Sequence, residues 1–598
     1  MEIVECTYYE VKGYGKCMKG KWKTAISLVV VGALTLCACT SVEEQGTSTC
    51  PYEEFIVVDV FDNQANYQGI QSGWFGELVK EKFNMELNII APNVAGGGDT
   101  LFETRSAAGN LGDLVLFSAD EGMLQDMVTA GLLLDMEPYI KKQDVMRFET
   151  AIRKLNEDIT PEGIYAIPSS VSEKSLLEPS ETIEPTYGPY IRWDLYKELG
   201  YPEIETLEDL LPVLKQMQEL EPKTEDGDKT YGFSFFKDWD GNLMNAIKQP
   251  CCFYGYDESG FVLVKADGSD YQSIIDANSL YVRMLKFFFK ANQMGLVDPE
   301  SLTQSYSDYV EKYTDGQIFF SPWPWAAQPQ YNTASNKEQG KGYMMANIED
   351  MQIYSYGCTP DGNAKSVIAI GAGAKDPQRM ADFINWLYSP EGVRANGAGS
   401  ITGTGGPEGL CWEYGEDGPV LTEYGKKALF ENNVEVPEEY GGGLWTDGKS
   451  ELNYTAINHG ELDEKGYPYM FQMWDSVQEL QETALDKDWR DFMGADNAME
   501  YLIQNDKLIV SPGGSYVLEP ENTEQTAVRK QCRTVIQKYS WEMVFAESEA
   551  EFYELLLQMQ KSVKGLGYDA VLALDMANAK AIEAEKKAAV EEYQNSQK

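Results

Sequence analysis

Apolar runs broken by polar loops set the first expectations. Ile56-Val57-Val58-Asp59-Val60 reads as a buried strand. A polar loop from Asn63 to Gly73 leads to Trp74 and a helix-like stretch from Phe75 to Phe83. Leu87-Asn88-Ile89-Ile90 and Leu114-Val115-Leu116-Phe117 read as two further strands. Strand, helix, strand, helix, strand at this spacing predicts a parallel sheet with crossover helices. Tyr165-Ala166-Ile167-Pro168, Tyr190-Ile191-Arg192 and Tyr231-Gly232-Phe233-Ser234 predict more short strands, and the loop Lys237 to Gly241 follows the last of them. Leu207, Leu210, Leu211, Leu214 and Met217 fall on one helical face, as do Met380, Phe383, Ile384, Leu387 and Tyr388. The 399–460 stretch is Gly-rich and aromatic and shows no period, so it reads as an irregular insertion. The end of the chain is helical.

The segment 316–326 stands out. Gly316-Gln317-Ile318-Phe319-Phe320 reads as a buried strand, and Ser321-Pro322-Trp323-Pro324-Trp325 must leave the sheet at about Pro322. Two readings of the tryptophans stand side by side. Trp323 and Trp325 serve as ordinary core or rim aromatics, or as a rigid plate at a strand end, where open α/β sheets bind ligands. Such a plate suits a flat, partly apolar ligand such as a sugar ring.

Composition narrows the function classes. The 598 residues carry 96 acidic and 49 basic side chains, a net charge of -47. That excludes nucleic acid and anionic lipid headgroups as natural partners, because both need a basic face. A single histidine, His459, leaves almost no material for histidine catalysis or a multi-histidine metal site, and no cofactor is expected. Cys50, Cys251, Cys252, Cys358, Cys411 and Cys532 show no CxxC spacing and read as mostly buried free thiols.

The N-terminus reads as a leader. Met18 is the better start; Lys19, Lys21 and Lys23 precede an apolar run from Ala25 to Leu36, too short to span a bilayer. Leu36-Cys37-Ala38-Cys39 resembles the bacterial lipobox, which implies that Cys39 is lipidated and becomes the mature terminus. An ordinary cleaved signal with Cys39 as a spare thiol is the competing reading. Residues 1–38 are thus a signal peptide, and 39–54 the lipidated cysteine with a flexible tether.

Several short pieces, in order from about 55 to 395, resemble bacterial extracellular solute-binding proteins of ABC importers. The likeness is to the carbohydrate-binding group that includes maltodextrin binders and the large lipoprotein binders of Gram-positive bacteria. They are Leu111-Gly112-Asp113-Leu114-Val115, Tyr165-Ala166-Ile167-Pro168, Ile191-Arg192-Trp193-Asp194, Gly295-Leu296-Val297-Asp298-Pro299, Asp315-Gly316-Gln317-Ile318, and Asp376-Pro377 through Ser389-Pro390-Glu391-Gly392. The resemblance implies an α/β, two-lobe fold of the periplasmic-binding-protein type II, with parallel-rich sheets flanked by helices and a ligand cleft at the hinge. It implies an N-terminal lobe from 55–165 and 340–395. A C-terminal lobe would take 166–339 and 396–598, with the irregular insertion around 400–540.

It also implies a site. Maltodextrin binders carry a similar Gly-Pro-Trp-Ala-Trp whose first tryptophan stacks on the sugar, which points to Trp323 and then Trp325. Phe117, Ser118 and Asp120 sit where that group places an aromatic and an acidic sugar contact; Asp238 and Trp239 sit where another stacking ring originates. Tyr67, Trp74 and Arg192 complete the candidates, with Arg192 equally suited to an interlobe ion pair. The expected activity is binding without catalysis: a monomeric receptor, lipid-anchored on the outer face of the cell membrane, that captures a carbohydrate and hands it to ABC permease subunits. A peptide or other small-solute receptor on the same scaffold is the alternative. A carbohydrate-active enzyme would need a matched carboxylate pair, and nothing in the sequence marks one.

Overall fold

The computed structural model describes residues 50–596 except 93, 95–97, 120–121, 400–402, 431–433, 479, 481 and 515–520. Cys39 and the leader lie outside the described residues. No described helix is long and apolar enough to cross a membrane.

The first lobe is built on a six-stranded sheet, in the order Gly69–Ile70, Met85–Ile90, Ile56–Asp62, Leu114–Phe117, Asn363–Ile370, Ile167–Ser169. Ile56–Asp62 pairs in parallel with both Met85–Ile90 and Leu114–Phe117, and Asn363–Ile370 runs antiparallel to its neighbours. The pleat explains why these strands read as continuous apolar runs. Val58, Val60, Leu114, Leu116, Ile368 and Ile370 point into one core, and Phe61, Val115, Phe117, Val367 and Ala369 into a smaller one on the other face. Both faces of Leu114–Phe117 are covered, while Ile56–Asp62 and Met85–Ile90 carry half-buried polar residues at Asp59, Glu86 and Asn88 in one register.

The second lobe has little sheet. Phe320–Ser321, Tyr190–Arg192 and Tyr343–Met345 form an antiparallel trio, and Ile353–Tyr356 pairs in parallel with Leu508–Ser511. Tyr231 and Phe233, predicted as a strand, make only isolated bridges, to Ile318 and Val297. Helices supply the rest: Leu210–Leu220, Leu280–Gln293, Ala484–Met493 and the C-terminal set Thr523–Val544, Glu549–Leu566, Tyr568–Ser596. Leu280–Gln293 starts where the Ser279 hydroxyl accepts the Val282 N–H, and it buries Tyr281, Leu285 and Phe288 as its spacing predicts.

The lobe boundaries differ from expectation. Residues 340–356 belong with the second core, because Tyr343–Met345 pairs with Tyr190–Arg192. The stretch from Ala398 to Val477 packs into the first core, not the second. Its anchor is Trp445, stacked on Trp74 with ring centroids 4.6 Å apart and planes 7° from parallel. Only the part from Leu485 onward joins the second core. The chain crosses between the cores in the segments 172–186, 355–366 and 478–484. All six described cysteines are free, and five are buried.

Candidate functional site

Two features stand out: an aromatic plate on the second core and a cavity between the cores. The plate follows from local chain chemistry. The strand Phe320–Ser321 stops at Pro322, and Pro324 opens the helix Pro324–Tyr331 at the position where a missing N–H is tolerated. Between them the Ser321 hydroxyl donates to the Trp323 carbonyl at 2.8 Å and accepts the Trp323 N–H at 3.2 Å. This turn stacks Trp323 on Trp325, with centroids 5.0 Å apart. Trp239 closes the group at 6.0 Å from each and lies 4.3 Å from Tyr306. Trp323 is 5% exposed and Trp325 37%, so one ring anchors the plate and the other presents it. The Asp238 carboxylate is spent on structure, accepting the Tyr306 N–H at 2.8 Å at the start of a helix. Asp240 accepts from the Trp541 indole at 2.7 Å, and burial pushes its carboxyl up to about 6.

The other sequence candidates divide. Ser118 follows its strand at the sheet's C-terminal edge and is half-buried. Tyr67 is half-buried and donates its hydroxyl to the Ile70 carbonyl at 2.8 Å. Asp120 lies outside the described residues. Three are corrected. Phe117 is 3% exposed because the strand pleat turns it into the small core. Trp74 is 2% exposed, sandwiched by Trp445 and donating to its carbonyl at 3.2 Å. Arg192 is fully buried and grips Asp194 at 2.9 and 2.7 Å and Glu221 at 3.2 and 3.3 Å, with Tyr331 under its guanidinium. That ion pair ties parts of one lobe and bridges nothing between lobes.

The cavity measures about 880 Å³, at the upper end of small-ligand pockets. None of the described sequence candidates lines it. Its second-core wall carries Met345, Trp489 and a charged set, and its first-core wall carries Phe430, Trp445 and Phe471. Gln328, four residues beyond Pro324, lines it too, so the helix that begins at the plate runs to the cavity. Glu184, on a crossing segment, accepts from the Tyr190 hydroxyl at 2.6 Å and from Gln328 at 3.3 Å. Burial pushes its carboxyl up to about 7. Lys337 and Asp486 pair beside it at 2.8 Å. The aromatic richness of 399–460 was the one sequence signal pointing here.

A family model described as bacterial extracellular solute-binding protein matches residues 71–394, more than half of the chain. No curated protein matches. Among solved structures, the alginate-binding protein AlgQ2 without calcium ion superposes with TM-score 0.56 at 13% identity, covering 90% of this chain and 100% of that one. The S. pneumoniae ABC-transporter substrate-binding protein FusA in complex with kestose gives 0.53 at 15%, covering 89% and 99%. An HMO-binding ABC-transporter-associated protein from Bifidobacterium longum infantis gives 0.54 at 13%, covering 88% and 99%. At these identities the likeness establishes a shared two-lobe fold, and the family match establishes the lineage: the chain belongs to the bacterial extracellular solute-binding proteins.

Proposed function

We propose that this protein is a carbohydrate receptor of an ABC importer, held at the outer face of the membrane by lipid on Cys39 and a tether reaching to about residue 54. The observation that carries the reading is the plate: three tryptophan rings within 6.0 Å, with Trp323 fixed between two prolines and Trp325 open to a ligand. An aromatic face packs on the C–H side of a pyranose and adds roughly 1 kcal/mol per ring beyond area. Charged groups at the cavity then hydrogen-bond hydroxyls, and any left unpaired lowers affinity, which supplies specificity. The similar solved proteins named for alginate, kestose and HMO support the class. The receptor works as a monomer, closing its lobes by bending at the crossing segments and presenting the closed form to permease subunits.

A second reading has its own observation. The paired charges Lys337 and Asp486 in the cavity suit a zwitterionic ligand such as a short peptide. Thermal-shift and calorimetric binding of the chain from Cys50 onward separates the two. Stabilisation by oligosaccharides, weakened about tenfold in Trp325→Ala, supports the carbohydrate receptor. Stabilisation by peptides alone moves the function to the second reading. Slow loss of a glycan during incubation would make the protein an enzyme.

A further inference from the structure

We propose that the cavity between the cores takes a saccharide bearing an anionic substituent, a carboxylate or a sulfate or phosphate ester, and that Lys449 is its counter-ion. The inference rests on the carbohydrate-receptor reading and adds the ligand's charge.

The argument starts from how charge is distributed over the two walls. Among the described residues, the carboxylates that line the cavity are Glu184, Glu338, Asp486, Asp496 and Glu500. They belong to the second-core wall or to the crossing segment beside it. On the first-core wall, formed by residues between 399 and 473, Lys449 is the single charged side chain among those described. The cavity's other two cations are engaged by their own wall. Lys337 pairs with Asp486 at 2.8 Å, and the Arg490 Nε donates to the Asp486 carbonyl at 3.4 Å.

Lys449 has no such partner. Its ammonium donates to the Gly399 carbonyl at 3.4 Å and forms no ion pair among the described residues. Asp447 and Glu451 act on it from a distance, and burial outweighs them, drawing its pKa below the usual lysine value. Lys449 is half-buried, and an ammonium with no ion pair on its own wall is better stabilised when an anion joins it.

The lysine is also held in place. The Gln71 amide donates to the Lys449 carbonyl at 2.8 Å. The preceding residue, Gly448, lies so close to the start of the helix Gly73–Phe83 that a Cβ there would sit 2.6 Å from Trp74 Cδ1 and 2.8 Å from its backbone nitrogen. Trp445, Phe430 and Phe471 share this wall. Phe430, half-buried, offers the apolar face to ring C–H groups while Lys449 takes the anion; Trp445 and Phe471 are buried behind it, and the opposite carboxylates accept hydroxyl protons.

The experiment measures calorimetric affinities of the chain from Cys50 onward. The probes are uronate tetrasaccharides of several linkages, each beside its carboxyl-reduced neutral form, together with sulfated and phosphorylated saccharides. At least one acidic probe should bind ten times tighter than its neutral counterpart. Lys449→Gln should bring that ratio to within about threefold. Which acidic probe wins identifies the anion as carboxylate or ester. Equal or better binding of the neutral forms overturns the anion assignment and leaves the receptor reading intact, and an acid preference that survives Lys449→Gln overturns Lys449 as the counter-ion. Silence toward every saccharide, acidic and neutral, overturns both.

Discussion

The tryptophan plate and the interlobe cavity are built in opposite ways. The plate is assembled from two short stretches, 237–241 and 320–325, with Tyr306 behind them, and all of it belongs to one lobe. The cavity draws its walls from both lobes and from residues between 182 and 500. A plate of this kind keeps its shape through hinge bending, whereas a cavity between lobes changes shape with every degree of closure. The plate is apolar, and the cavity's second-core wall is charged. The two differ in what they contribute to binding and in how they respond to mutation and pH.

The largest expected effect separates the two faces of the plate itself. Trp323→Ala removes a ring that is 5% exposed and should lower stability by about 3–5 kcal/mol, seen in urea unfolding. Trp325→Ala, at 37% exposure, should change stability by about 0.5 kcal/mol and still weaken saccharide binding roughly tenfold. If Trp325→Ala leaves affinity untouched, the plate is a structural cluster and the cavity alone binds.

The next effect sets the regions apart by pH. The Glu184 carboxyl is raised from 4.5 to about 7, so the folded state holds its proton more tightly than the unfolded chain. Its stabilising contribution is complete below about pH 4.5 and is lost as pH rises through 7, by up to about 3 kcal/mol at 1.36 kcal/mol per unit. Asp240, beside the plate, has the same sign but a lower window, from 3.8 to about 6. Denaturant unfolding should therefore show Glu184→Gln flattening the stability slope between pH 5 and 7, and Asp240→Asn flattening it mainly below 6. Identical slopes in wild type and Glu184→Gln would mean that the cavity is already wet enough to leave this carboxyl charged at no penalty.

How much was legible in the sequence follows the same division. The strand Leu114–Phe117 announces itself because both faces are buried and its residues are apolar throughout, and Ile56–Asp62 and Met85–Ile90 because most of their residues are apolar, with Asp59, Glu86 and Asn88 only half-buried. Trp323 and Trp325 were legible because proline fixes their backbone locally, while Trp239, which the structure places beside them, came only from the resemblance. The cavity was not. Glu184, Lys337, Lys449 and Asp486 are separated by tens to hundreds of residues, and no local pattern ties them. The lobe boundaries failed for a related reason: an aperiodic, glycine-rich stretch such as 399–460 carries no mark of which core it joins. Trp74 looked like a loop aromatic, since only the approach of Gly448 and Trp445 reveals what covers it. Arg192 was placed near the site by resemblance, yet Asp194 and Glu221 already occupy its guanidinium.

The smallest expected effect decides whether polar groups at the plate's edge touch ligand at all. Asp238 is exposed, and its carboxylate accepts the Tyr306 N–H, one of the orphan donors at the start of the helix Tyr306–Thr314. Removing that acceptor in Asp238→Ala should reduce stability by about 1 kcal/mol, as for other helix-start acceptors. Tyr306 backs Trp239 at 4.3 Å, so a loosened helix start should also blur the plate and weaken saccharide binding by no more than about threefold. Asp238→Asn keeps an acceptor oxygen at the same reach and should behave as wild type in both measurements. A tenfold loss of affinity in Asp238→Asn, with stability unchanged, would show that the charge itself contacts a hydroxyl. The plate would then read polar rims as the cavity does, and the division of labour between the two regions would fall.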